Sequence, residues 1–83
     1  MKRLLYFSAP WCGPCRQLGP TMDQVARNYP VIKINVDEDS FQVQQFKIKN
    51  VPTVLLVDDN GNVLSSKVGA HPAQTYIDMY NQN

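Results

Sequence analysis

A chain of 83 residues holds one hydrophobic core and not two, since single domains run from about 50 to 200 residues, so residues 1–83 are expected to form one domain with room for one site. Apolar residues at 43% and charged residues at 18% are the balance of a globular chain and not of a disordered one; at this size it should expose about 5,000 Å² of the roughly 13,600 Å² open to the unfolded chain. Eight basic and seven acidic residues leave a formal net charge of +1, which removes the simplest electrostatic support for binding nucleic acid or an anionic membrane.

Met1-Lys2-Arg3 before Leu4-Leu5 superficially suggests a secretory leader, but the apolar stretch ends within a few residues and runs into Pro10-Trp11-Cys12. Leu4 to Phe7 reads instead as a short strand buried on both faces. It and Val54 to Val57 are the longest apolar runs, far below the eighteen or so residues of a membrane helix, and a soluble, cytoplasmic chain is expected. From Cys12 onward, Leu18, Met22, Val25 and Tyr29 form one stripe of a helix that ends before Pro30. Gly19-Pro20 inside it removes a backbone donor and predicts a kink. Val31 to Val36 reads as a second strand, and strand, helix and strand in succession predict a right-handed parallel unit.

Asp37-Glu38-Asp39-Ser40 then offers capping oxygens and negative charge to a short helix carrying Phe41, Val43 and Phe46. Thr53 to Asp58 and Asn62 to Val68 read as antiparallel strands about the Asn60-Gly61 hairpin signal. After Pro72, Ala73, Tyr76, Ile77 and Tyr80 recur at helical spacing and close the chain with an amphipathic helix. Phe7, Phe41, Phe46, Tyr76 and Tyr80 are expected in the core. The order is βαβαββα, an α/β chain with a mixed sheet of four strands.

Only two cysteines are present, Cys12 and Cys15, and their spacing selects their chemistry. A disulfide across so small a loop stabilises by only about 2 kcal/mol in the chain-entropy model, against roughly 3 kcal/mol for a fifteen-residue loop, so a structural staple is disfavoured. Structural zinc takes about four ligands, and beyond this pair there is one histidine, His71; no metal is expected. Haem attachment needs a histidine directly after the second cysteine, where this chain has Arg16. Redox chemistry remains.

Cys12 stands where the first helix begins, so unpaired backbone donors and the positive end of the helix dipole favour its thiolate. It is the expected nucleophile, and Cys15, one turn further on, is the expected resolving thiol. Pro14 falls in the first turn, where its missing donor costs little and its fixed φ stiffens the loop, and Gly13 supplies backbone freedom. Cys12 would attack a substrate disulfide and Cys15 would displace the substrate from the mixed disulfide, transferring two electrons. Trp11, beside the nucleophile, is read as shaping a contact surface.

Trp11-Cys12-Gly13-Pro14-Cys15 resembles the active-site motif of the thioredoxin family, and the likeness continues in order through Pro20, Lys33-Ile34-Asn35-Val36-Asp37, Val51-Pro52-Thr53, Asn60-Gly61 and Val68-Gly69-Ala70. It covers nearly the whole chain. The resemblance implies a three-layer thioredoxin-like fold and protein-disulfide reductase activity, with the Cys12–Cys15 pair as the redox group and no bound cofactor. It further implies electrons from NADPH through a thioredoxin reductase, protein disulfides as substrates, and a monomer. It also implies a cis Val51–Pro52 bond opposite the cysteines, which would turn Val51 outward to pair with an extended peptide, and a shallow apolar docking surface bordered by Trp11, Val51, Pro52, Gly69 and Ala70. Lys33 matches a family lysine near the buried thiol.

Two departures from the family pattern stand out. The family usually has a further strand and helix before the first strand, so the chain resembles a shortened thioredoxin of glutaredoxin size. The family also has a buried aspartate six residues before the first cysteine, taken to accept the resolving cysteine's proton, where this chain has Tyr6. A phenol with a pKa near 10 is a poor base at pH 7, so Tyr6 and Lys33 are candidate modulators of thiol ionisation, and Cys15 is expected to lose its proton to water or to the departing thiolate, with slower release of substrate.

Two other functions compete. One is a glutaredoxin-like or dedicated electron donor, for instance to a ribonucleotide reductase; Val68-Gly69-Ala70 lacks the paired glycines that glutaredoxins share. The other is a non-catalytic binding subunit, in which the cysteines would be dispensable. His71 reads as a loop or capping residue, and Asp58, Asn60 and Asn62 as a turn, because the glycine comes too early for a calcium loop and no glutamate follows at the required spacing.

Overall fold

In the computed structural model, which describes residues 1–83, the chain forms β1 (Arg3–Ser8), α1 (Gly13–Val25), β2 (Val31–Asn35), α2 (Ser40–Gln45), β3 (Thr53–Val57), β4 (Val63–Val68) and α3 (Ala73–Asn81). One sheet of order β2-β1-β3-β4 joins the strands. β1 runs parallel to β2 and antiparallel to β3, and β3 antiparallel to β4. The crossover through α1 thus produces the parallel pair, and the hairpin at Asp58 to Asn62 the last antiparallel one. In that hairpin a carboxylate oxygen of Asp58 accepts from the backbone N–H of Asn60 and of Asn62, both at 2.9 Å, while Gly61 takes a φ of 81°, a conformation that only glycine adopts at no steric cost.

Because β1 lies inside the sheet and successive strand side chains alternate in direction, it feeds two cores. Leu4 and Tyr6 pack with Leu18, Met22 and Val25 of α1, Val54 and Leu56 of β3, and Tyr76 and Met79 of α3. Leu5 and Phe7 face the other way and meet Ile34, Leu55 and Val57, covered by Val36, Phe46 and Ile48. The result is three layers, with α1 and α3 on one side of the sheet and α2 on the other. The second side is thinly covered, since α2 has six residues and none of them is buried. Total exposed area is 4980 Å², in line with the size scaling. None of the helices is long and apolar enough to cross a membrane.

Helix α1 starts at Cys12, with proline in its first turn, and continues to Val25 with Pro20 inside it. Its buried stripe is Cys15, Leu18, Met22 and Val25, so the predicted periodicity is the packing face. Asp39 caps α2, one carboxylate oxygen accepting from the Gln42 N–H at 3.0 Å and the other from the Gln42 side-chain amide at 2.8 Å.

Phe41 departs from the expected core: it is 76% exposed. At about 100° per residue Phe41 points roughly 160° away from Val43 on so short a helix, whereas Phe46 points within about 60° of it, and only that side meets the sheet. Phe46 stands edge-on to Phe7 with ring centroids 6.1 Å apart. The capping role considered for His71 is also absent, since α3 is entered through Pro72 with no side-chain cap.

Candidate active site

The C-terminal end of β1 delivers the chain to the start of α1, where Cys12 sits as the N-cap in extended backbone with φ −89° and ψ 114°. That geometry aims its side chain at the free amides of the first turn, and Cys12 Sγ accepts from the Cys15 N–H at 3.2 Å. A sulfur so placed has a backbone donor and the positive end of the helix dipole on it, which stabilises negative charge there. Cys12 and Cys15 are joined in a disulfide with Cα atoms 5.2 Å apart, within the ordinary range. Both are buried, while Trp11, Gly13 and Pro14 around them are exposed.

Opposite the pair, the Val51–Pro52 peptide is cis and the Val51 carbonyl oxygen lies 3.6 Å from Cys12 Sγ. Gly69 joins this edge because its N–H donates to the Pro52 carbonyl at 2.9 Å. The structure therefore brings Cys12, Cys15, Val51, Pro52 and Gly69 together through direct contacts, with Ala70 next along the chain. Trp11 is 67% exposed and is held from its far side: Nε1 donates to Asp37, at 3.0 Å to one carboxylate oxygen and 3.3 Å to the other. Asp37, read from sequence as part of an acidic run offering caps to a short helix, thus anchors the tryptophan, while Asp39 is the helix cap.

A cavity of about 390 Å³ opens beside Trp11 and Val51, walled also by Val36, Val43, Ile48, Lys49 and Asn50. None of these five entered the site read from sequence. Ile48, Lys49 and Asn50 directly precede Val51, and that adjacency was the available signal.

On the inner side of the pair, Tyr6, Cys15 and Lys33 line one cavity of about 340 Å³. Tyr6 is almost wholly buried and its hydroxyl donates to the Cys15 carbonyl at 3.1 Å. Burial raises its pKa above the ordinary phenol value; a hydrogen bond with the Ser8 side chain opposes this and the negative charge of Asp23 adds to it. A phenol so held stays neutral and cannot take a thiol proton at pH 7. Lys33 stands at the mouth of the same cavity, Nζ 6.0 Å from the Tyr6 ring centroid and 3.9 Å from an Asp23 carboxylate oxygen. More than half exposed, it shares its charge with Asp23 and water.

The thioredoxin family model matches residues 1–82. Thioredoxin from Haemophilus influenzae is 38% identical over 96% of this chain and 78% of its own length, and thioredoxin 1 from Synechococcus elongatus is 40% identical over 87% of this chain and 70% of its own. The solved structure of a point mutant of thioredoxin from Halobacterium salinarum superposes with a TM-score of 0.88 at 31% identity, covering 98% of this chain and 73% of that one. The chain therefore belongs to the thioredoxin family, and with its disulfide-forming Cys12–Cys15 pair it is a dithiol-disulfide oxidoreductase.

Proposed function

We propose that residues 1–83 act as a single-domain, monomeric cytoplasmic reductase of protein disulfides in which Cys12 is the nucleophile and Cys15 the resolving thiol. The observation that carries this reading is the placement of Cys12 Sγ at the N-cap of α1, accepting the Cys15 N–H at 3.2 Å and facing the Val51 carbonyl. From the reduced dithiol, the Cys12 thiolate attacks one sulfur of a substrate disulfide, forming a Cys12–substrate disulfide and expelling the other substrate sulfur as a thiolate. Cys15 then loses its proton, attacks the Cys12 sulfur, closes the Cys12–Cys15 disulfide and expels the second thiolate. Two electrons pass to the substrate, and its thiolates take up protons according to their pKa. The disulfide present in the structure is the product of that step, and two electrons from NADPH, passed through a thioredoxin reductase, restore the dithiol.

Substrate lies on the surface bordered by Trp11, Val51, Pro52, Gly69 and Ala70. The Val51 backbone pairs with an extended peptide as an added strand would, and the Trp11 ring, fixed by Asp37, supplies apolar contact. Tyr6 supplies no base, so Cys15 gives up its proton to solvent water or to the departing thiolate. The test is NADPH-dependent reduction of insulin in the presence of thioredoxin reductase, with glutathione and its reductase as the alternative electron source and Cys12→Ser as control. Turnover with thioredoxin reductase and none in Cys12→Ser is expected; turnover that survives the substitution overturns the assignment.

A further inference from the structure

The segment between β4 and α3 borders the proposed docking surface, and a single oxygen holds both of its sides. Gly69 turns the chain with a φ of 88° and is tied to Pro52 through its N–H. Its carbonyl faces inward and accepts from the Tyr76 hydroxyl at 3.3 Å. Two residues on, the His71 N–H donates to the same hydroxyl at 3.2 Å. Helical side chains lean toward the helix N-terminus, so a tyrosine one turn inside α3 reaches back over the residues that enter it. Pro72 offers α3 no side-chain cap, which leaves the tyrosine hydroxyl as the polar anchor of this entry.

Tyr76 is 0% exposed, and without its hydroxyl the two inward-facing backbone groups would have to find water. The His71 side chain closes the outer side of the loop: Nε2 lies 3.0 Å from the Val68 carbonyl, and the ring stands edge-on to Tyr76 with centroids 6.1 Å apart. Tyr76 touches neither cysteine in any hydrogen bond, and its ring packs in the main core.

Resting on the docking surface assigned above, we propose that Tyr76 is a positioning residue for substrate: its hydroxyl sets the path of Gly69-Ala70-His71, the rim against which a substrate chain lies as Cys12 attacks. Tyr76→Phe removes one oxygen and keeps the ring in the core. Two measurements test it. Amide hydrogen exchange of His71 by NMR should speed up by roughly two- to tenfold when its acceptor is lost. The KM for insulin should rise by a similar factor, with kcat, and the rate with the small disulfide dithiobis-nitrobenzoate, unchanged within twofold. An unchanged His71 exchange rate, an unchanged KM, or equal slowing with both disulfides would overturn the proposal. Failure of the unsubstituted protein to reduce insulin would overturn the functional reading itself, whereas His71 exchange reports on the clamp whichever disulfide the protein reduces.

Discussion

Replacing Tyr6 by aspartate puts a carboxylate into the cavity that Cys15 and Lys33 share, where the native phenol is buried and hydrogen-bonded to the Cys15 carbonyl. In the native chain no side chain of this cavity takes the Cys15 proton near neutrality, so resolution of a mixed disulfide whose departing thiol is too acidic to serve as a base should follow the thiolate fraction. An ordinary thiol with a pKa near 8.5 is about 3% ionised at pH 7, and the release rate should rise close to tenfold per pH unit from pH 6 to 8. General-base help typically contributes about 10²- to 10⁴-fold; Tyr6→Asp should therefore speed release at pH 6 to 7 by on the order of 10²-fold and flatten the profile. The substitution has a structural cost: emptying a buried aromatic site destabilises by about 3–5 kcal/mol, out of a total that is usually about 5–15 kcal/mol. Tyr6→Phe is the matched control, losing one hydrogen bond at about 1 kcal/mol and leaving the slope as it was. The assay is stopped-flow release of a chromophoric thiol from a Cys12 mixed disulfide between pH 6 and 9, at a temperature where urea titration shows each variant folded. Equal rates and equal slopes in Tyr6→Asp and the native chain would refute the reasoning.

Two further outcomes follow from the same structure. Asp39 and Asp58 both titrate below the ordinary carboxylate value, Asp39 chiefly through the Gln42 side-chain amide and then the Gln42 N–H, Asp58 chiefly through the Asn62 N–H and then the Asn62 side chain. Because the folded pKa lies below the unfolded one, their stabilisation is fully present above about pH 4–5 and is lost as pH falls through the folded values; urea midpoints should fall from about pH 4 downward, less steeply in Asp58→Asn, and an identical slope in that variant would count against the turn's contribution. On α2, Phe41→Ser should shift stability by no more than about 0.5 kcal/mol, while Phe46→Ala, which strips cover from Phe7, should cost about 2–4 kcal/mol; similar losses for the two would contradict the assignment of the packing side.

The periodicity of Leu18, Met22 and Val25 and the unbroken apolar run from Leu4 to Phe7 located the core, because burial on one helix stripe or on both strand faces leaves its mark residue by residue. The hairpin was visible in Asn60-Gly61, since its turn requires a positive φ at Gly61. Phe41 was misplaced because one and a half turns are too short for periodicity to say which side meets the sheet. At the site, the cysteine spacing and the helix start were enough to assign redox chemistry, for both are local. The links from Trp11 to Asp37 and from Tyr76 to Gly69 and His71 were not legible: each joins a polar atom on an otherwise apolar side chain to a partner set by the tertiary fold, and hydropathy patterns record only the apolar part.

Cys12 attacking first and Cys15 releasing is the order of events that mass spectrometry of a trapped adduct tests most directly. Reduced Cys15→Ala mixed with a disulfide-linked peptide should carry the peptide on Cys12 as a persistent mixed disulfide, while the native chain should pass through the same adduct and end as the Cys12–Cys15 disulfide with free peptide thiols. An adduct equally persistent in both proteins, or none on Cys12 in either, would contradict it.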